Sequence, residues 1–253
     1  MDLFSLLIYL IIFLYGIVIG SFINVCIYRI PLKEDIVKER SHCMSCGHVL
    51  QWYELIPLVS YLVQKGKCRN CGTKLSVQYP LIEGTNGVLY VLIAVINGFN
   101  VDSLLYCLLI SALIALSVID WRTYEIPIGI NVFILALGLI MTVLHYEDWL
   151  NHVIGFFAVS IFIYIIILAT KGRGMGGGDM KLMAVAGLML GWKEIILSFI
   201  LGCILGSVIH VARMKISKAE HVLAFGPYLS LGILITVLCG QPILNWYLGL
   251  LGL

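Results

Sequence analysis

Two aspartates and four cysteines are the residues of this chain whose types and surroundings could do chemistry. Asp179 ends the stretch Met175-Gly176-Gly177-Gly178-Asp179, between an apolar run closing near Thr170 and another opening at Leu182. An ionisable side chain at a membrane helix terminus is a functional-site hypothesis, although an aspartate also caps a helix N-terminus well. Asp120 closes another apolar run, in Val118-Ile119-Asp120-Trp121-Arg122-Thr123-Tyr124-Glu125-Ile126-Pro127. The macrodipole disfavours an acid at a helix C-terminus, so capping does not account for Asp120. Two carboxylates brought together in a partly dry site share a proton and titrate as a unit. The ionised member can take a proton from a water attacking a peptide carbonyl while the protonated member donates to the carbonyl oxygen, which is aspartic-protease chemistry. Lys181 and Arg122, beside the two acids, either hold an acidic substrate residue or anchor at the headgroups.

The cysteines form two C-x-x-C knuckles, Cys43-Met44-Ser45-Cys46 and Cys68-Arg69-Asn70-Cys71, separated by 21 residues. Four thiolates in that arrangement can surround one Zn²⁺ tetrahedrally, and Gly47 and Gly72 follow where the turns need them. Disulfides are the competing reading, and a reducing compartment favours zinc over them. His42 and His48 flank the first knuckle, but four cysteines complete the shell, so both histidines are solvated or support the ligands. Cys26, Cys107, Cys203 and Cys239 are spread through apolar runs and read as small buried hydrophobes.

The elements that must position these groups are membrane helices. The chain is 61% hydrophobic and 12% charged, with a mean hydropathy of +1.03, which is a polytopic membrane composition and excludes a soluble globular class. The net charge of +2 gives no reason to expect a nucleic-acid partner. Apolar runs at 3–27, 80–96, 104–119, 126–144, 153–169, 182–192, 195–211 and 222–239 predict about eight transmembrane helices, the sixth of them short. Residues 243–253 are apolar but too few to span, and are expected at the interface or packed on the bundle. The fold class is therefore all-α polytopic with a small zinc-ribbon-like loop. Three segments follow: 1–28 as the first transmembrane helix, 29–79 as the knuckle loop, and 80–253 as a helical membrane domain carrying the aspartates.

Orientation follows from the basic residues. If the first helix runs from outside to inside, the inner loops are 28–79, 120–125, 170–181 and 212–221, and these hold 15 of the 16 Lys and Arg residues, Lys193 excepted. That asymmetry places the knuckle loop and both aspartates in or facing the cytoplasm. The first helix lacks a basic n-region and a small-residue cleavage site and precedes Arg29, so it reads as a retained anchor.

Three further stretches carry secondary expectations. Gly16 and Gly20 would admit a close helix neighbour, with Asn24 hydrogen-bonding across the bundle. Between the knuckles, Trp52, Leu55, Ile56, Pro57, Leu58, Val59, Tyr61 and Leu62 form an apolar patch that could line the loop's core, lie on the membrane surface, or hold a substrate segment. Glu83, in Tyr79-Pro80-Leu81-Ile82-Glu83, is favourable as a carboxylate in the first turn of the second helix.

In order along the chain, the segments are Gly20-Ser21-Phe22-Ile23-Asn24-Val25, the two knuckles with Gly66-Lys67-Cys68-Arg69, and Tyr79-Pro80-Leu81-Ile82-Glu83. Asp120 with Ile126-Pro127, Gly176-Gly177-Gly178-Asp179-Met180-Lys181-Leu182, and Phe225-Gly226-Pro227-Tyr228 follow. This series resembles the type IV prepilin peptidases over nearly the whole chain. The G-x-G-D element is shared with other intramembrane aspartyl proteases such as presenilin, and the knuckle loop narrows the resemblance to the bacterial prepilin enzymes. The resemblance implies a bifunctional enzyme of the cell membrane. It would cut the basic leader of type IV prepilins and pseudopilins after a glycine on the cytoplasmic side, then methylate the new amino group with S-adenosylmethionine. It also implies Asp120 and Asp179 as the catalytic pair and Cys43, Cys46, Cys68 and Cys71 as zinc ligands. No soluble cofactor-binding fingerprint marks a methyl-donor site, and Lys67 and Glu83 are weak candidates for it. From other classes, a proton-coupled transporter would use the carboxylates as a relay and predicts internal symmetry, while a scaffold protein would tolerate asparagine at both positions.

Overall fold

The computed structural model describes residues 3–217 and 223–250. Among them the chain is helical, in the order α1 (Leu3–Leu32), α2 (Val59–Val63), α3 (Gln78–Asn97), α4 (Val101–Thr123), α5 (Ile128–Leu144), α6 (Trp149–Ala169), α7 (Gly177–Leu190), α8 (Trp192–Ser217) and α9 (Gly226–Leu250). Short 3₁₀ turns stand at Trp52–Glu54 and Tyr146–Asp148. Six helices are long and apolar enough to cross a membrane, α5 is a shorter apolar helix, and α7 is shorter still at 14 residues. This is a multi-pass membrane protein, and the described part of each of the eight apolar runs of the sequence falls mainly in a different helix.

Several boundaries differ from the sequence reading. α4 continues three residues beyond Asp120, to Thr123, and ends on Tyr124 in the left-handed conformation. α8 reaches Ser217, so residues 212–217 are helix rather than loop, and the rest of the expected 212–221 loop lies outside the described residues. The segment beginning at residue 243 is not a separate interfacial piece, because α9 runs through Pro242 to Leu250. Proline removes one helical hydrogen bond. In an apolar surrounding the alternative is to expose still more backbone, so the helix continues past it. Val222, expected to open the last helix, is outside the described residues, and α9 starts at Gly226.

The chain divides into two compact units, Met1–Phe99 and Asn100–Leu253. In the first, α1 packs along α3. A Cβ on Gly20 would stand 2.7 Å from the Cα of Glu83, so only glycine allows this approach. Asn86 Nδ2 donates to the Gly16 carbonyl at 2.7 Å, and Asn24 Nδ2 donates to the Tyr79 carbonyl at 3.2 Å. The small-residue stripe and the Asn24 bridge expected from the sequence are both present.

In the second unit α7 is enclosed, with every residue from Leu182 to Leu190 buried. α5 and α6 both pack against it, and α9 packs on both α4 and α8. A helix that is apolar all round is stable only when other helices surround it. Its one polar end, Gly177 to Lys181, is therefore where the enclosed helix meets its loop.

Candidate active site

Asp120 occupies the last turn of α4, and Asp179 is the third residue of α7. Both are buried, at 5% and 9% exposure. They lie close enough for the charge of Asp120 to act on Asp179. The two acids that the sequence singles out are thus brought to one place in the second unit.

Each carboxylate is held by the backbone of a glycine. Gly226 N–H, at the start of α9, donates to Asp120 Oδ2 at 2.9 Å. Gly176 N–H, at the N-cap of α7, donates to Asp179 Oδ2 at 3.3 Å. The capping role considered for Asp179 is therefore real, since its carboxylate satisfies an N-terminal donor that the helix cannot use. The capping contact engages Oδ2, and burial beside a second acid is more than a cap requires. Asp120 has no such local reason, because its partner is 106 residues away. A Cβ on Gly226 would come within 2.7 Å of Asp120 Oδ2, so the close approach depends on the missing side chain. Gly226 is a contact of Asp120 that the acids alone do not point to, and its signal in the sequence is the Phe225-Gly226-Pro227 turn at a helix start.

The loop around the aspartates is short and fixed. Tyr124 N–H donates to the Asp120 carbonyl at 2.8 Å, closing α4, and Thr123 Oγ1 donates to the Ile119 carbonyl at 3.0 Å. Ile126 then packs against the start of α7, its Cβ 3.1 Å from where a Cβ on Gly178 would stand. Arg122 and Lys181 are both exposed. Arg213 of α8 lies over the ring of Trp121, 4.4 Å from its centroid.

The four knuckle cysteines converge in the first unit, their Sγ atoms all within 4.8 Å of one another. Tetrahedral Zn²⁺ with Zn–S bonds near 2.3 Å requires sulfurs ~3.8 Å apart. Cys43 and Cys71 already lie at 3.9 Å. The two knuckles share one backbone design: Gly47 N–H donates to the Cys43 carbonyl and Gly72 N–H to the Cys68 carbonyl, each at 2.9 Å. Both glycines are left-handed, with φ of 70° and 72°, which other residues adopt reluctantly. Hydrogen bonding from the Thr73 side chain, then from its backbone, lowers the Cys71 thiol to about 6. Backbone N–H groups of Ser45 and Cys46 lower that of Cys43. Four thiols at zinc spacing, two of them held low by hydrogen bonds, fit the metal.

The rest of the loop differs in detail from expectation. His48 is neither free nor idle: its Nε2 lies 3.1 Å from Oε2 of buried Glu54, which also accepts Gln51 N–H at 2.9 Å. Glu83 is the sixth residue of α3 rather than a first-turn carboxylate, since the helix begins at Gln78. Its role is to accept Leu58 N–H at 2.8 Å, which ties the strained Leu58 (φ 61°) and the patch between the knuckles to α3. The patch does not line a core, as Trp52 is 76% and Leu62 74% exposed. Glu83 is buried and so engaged, and Lys67 is exposed.

Similarity to known proteins follows the same division. The family described as "Bacterial Peptidase A24 N-terminal domain" matches residues 14–96, and the "Type IV leader peptidase family" matches residues 107–211. A prepilin leader peptidase/N-methyltransferase of Bacillus subtilis (strain 168) is 33% identical over 242 residues, covering 94% of this chain and 97% of the relative. One of the same name from Pseudomonas putida is 31% identical over 268 residues, covering 94% and 92%. Another, from Legionella pneumophila, is 29% identical over 271 residues, covering 95% and 94%. No solved structure matches. Likeness that runs through both units at this level, across nearly the full length of each relative, means that the chain belongs to the type IV leader peptidase family.

Proposed function

We propose that this protein cleaves the leader peptide of type IV prepilins or pseudopilins by aspartyl-dyad hydrolysis and then N-methylates the new terminus. The observation that carries the peptidase half is that two buried carboxylates, Asp120 and Asp179, lie within electrostatic reach of each other, with one oxygen of each held by a glycine N–H. Fixing one oxygen leaves the other for chemistry. In the reaction, one carboxylate takes a proton from the attacking water while the other, protonated, donates to the carbonyl oxygen of the scissile bond. The tetrahedral intermediate then collapses as the amine leaves with a proton returned from the dyad. Burial strengthens these interactions by excluding bulk water.

The orientation we propose follows the basic residues, with segment 29–79 and the ends of α4 and α7 that carry the acids on the cytoplasmic side of the cell membrane. A prepilin's hydrophobic helix would then lie in the bilayer with its basic leader in the cytoplasm and the scissile bond at the interface. Zinc, held by Cys43, Cys46, Cys68 and Cys71, would serve as a structural staple, since four protein ligands leave no open position for catalysis. The methyltransferase half rests on the resemblance and on the relatives' names. The chemistry needs only a bound S-adenosylmethionine and a neutral amine in line with its methyl group. No observation favours the proton relay or the scaffold.

The test is reconstitution. Purified protein in liposomes should cut a synthetic prepilin at the leader junction and, with methyl-labelled S-adenosylmethionine, label the processed product. Intact substrate after prolonged incubation would overturn the peptidase reading, and cleavage without label would overturn the methyltransferase half alone.

A further inference from the structure

Buried polar side chains nearly always find hydrogen-bond partners. Asn131 does not. It is 5% exposed, and neither its Nδ2 nor its Oδ1 has a partner among the described residues. An amide left unpaired at both ends opposes folding, and both of its groups are free to pair with a partner that arrives after folding.

The position of Asn131 indicates which partner. Asn131, Ile134, Gly138 and Met141 lie on the buried face of α5, beside Ile130 and Leu137. Gly138 on that stripe faces Leu188 of α7, whose Cβ is 3.2 Å from where a Cβ on residue 138 would stand. Ile126 faces Gly178, so contacts along the two segments rise together and α5 runs parallel to α7. Asn131 lies seven residues before Gly138, and seven residues before Leu188 is Lys181. The amide is therefore level with a point ~3 Å along the axis of α7 from Asp179. Packed helices are ~8–10 Å apart, and an extended peptide advances ~3.4 Å per residue. A substrate strand whose scissile bond lies at Asp179 would bring its backbone to Asn131 about two or three residues away.

An uncharged amide suits that task. It offers one acceptor and one donor group, the complement of the C=O and N–H of a peptide unit, and it adds no charge near the two acids. We propose that Asn131 is a positioning residue of the peptidase, accepting from a backbone N–H and donating to a backbone C=O of the extended substrate beside the scissile bond. This rests on the reading of Asp120 and Asp179 as the cleavage site.

The experiment compares wild type with Asn131→Leu and Asn131→Ser, as full chains in detergent, for prepilin cleavage kinetics and thermal melting. Leucine removes the unpaired amide at similar volume, so the melting temperature should hold or rise. Cleavage efficiency should meanwhile fall about ten- to a hundredfold, mostly through KM, as expected for two lost hydrogen bonds. A series of prepilin peptides with single backbone amides replaced by esters locates the contact. One ester near the scissile bond should weaken the wild type several-fold and have no added effect on Asn131→Ser. If wild type does not cut prepilin, the dyad reading fails first. If wild type cuts and Asn131→Leu cuts equally well, or if Asn131→Leu fails to fold, the amide is not a substrate contact. An ester series that affects wild type and Asn131→Ser alike would overturn the inference by itself.

Discussion

Replacing Gly226 by alanine should detach Asp120 from its backbone anchor and leave the fold standing. Gly226 is not among the glycines with positive φ, so alanine is not strained by the backbone there. The clash is with the anchored oxygen: the new Cβ would stand 2.7 Å from Asp120 Oδ2, whereas ordinary contact begins at 3.4 Å. The carboxylate must retreat by the difference, about 0.7 Å. That lengthens a 2.9 Å hydrogen bond to ~3.6 Å, outside the range of a useful N–H···O contact. A hydrogen bond to a charged group contributes about 1.5–3 kcal/mol, and a displacement near 1 Å costs about a hundredfold in rate. The expected result is a loss of ~10- to 100-fold in kcat, with the melting temperature within a few degrees of wild type. Prepilin cleavage in detergent measures it, with Gly226→Ala combined with Asp120→Asn as the control. Because the glycine acts through Asp120, the double variant should be no slower than Asp120→Asn alone. A kcat within twofold of wild type would refute the claim that this contact positions a catalytic group.

Three other predictions concern the first unit. Gly20→Ala places a Cβ 2.7 Å from the Cα of Glu83, where backbone must move, and should destabilise by ~1–3 kcal/mol; an unchanged melting temperature would mean that α1 and α3 are not packed as described. Metal analysis of purified protein should find one zinc per chain, and Cys43→Ser or a strong chelator should expose the remaining knuckle thiols to alkylation; thiols that react equally fast with and without chelator would exclude the metal. Glu83→Gln weakens the anchor on Leu58 N–H, and limited proteolysis between the knuckles should accelerate several-fold.

Much of this arrangement is legible in the sequence because its signals are local. Runs of apolar residues bounded by charge mark membrane helices, and C-x-x-C-G twice over marks two identical turns. Asp120 stands out because an acid at the end of a helix has no local justification. What the sequence conceals is long-range or depends on helix ends. The hold of Gly226 on Asp120 spans 106 residues, and no periodicity announces it. Glu83 reads as a first-turn acid until the helix is seen to begin at Gln78, after which its partner is Leu58 of the preceding loop. Residues 243–253 read as a separate short piece, whereas α9 continues through Pro242 to Leu250 because the apolar surroundings favour unbroken helix. Asn131 is one polar residue in an apolar run, and only burial without a partner distinguishes it.

The central claim is that Asp120 and Asp179 together perform the hydrolysis. The most direct measurement is prepilin cleavage by Asp120→Asn and Asp179→Asn, each purified from membranes and matched to wild type in melting temperature and in prepilin binding. Asparagine keeps the size and the hydrogen bond from glycine but cannot exchange the proton, so the account predicts that both variants bind prepilin and neither cleaves it. Normal turnover by either variant would contradict it.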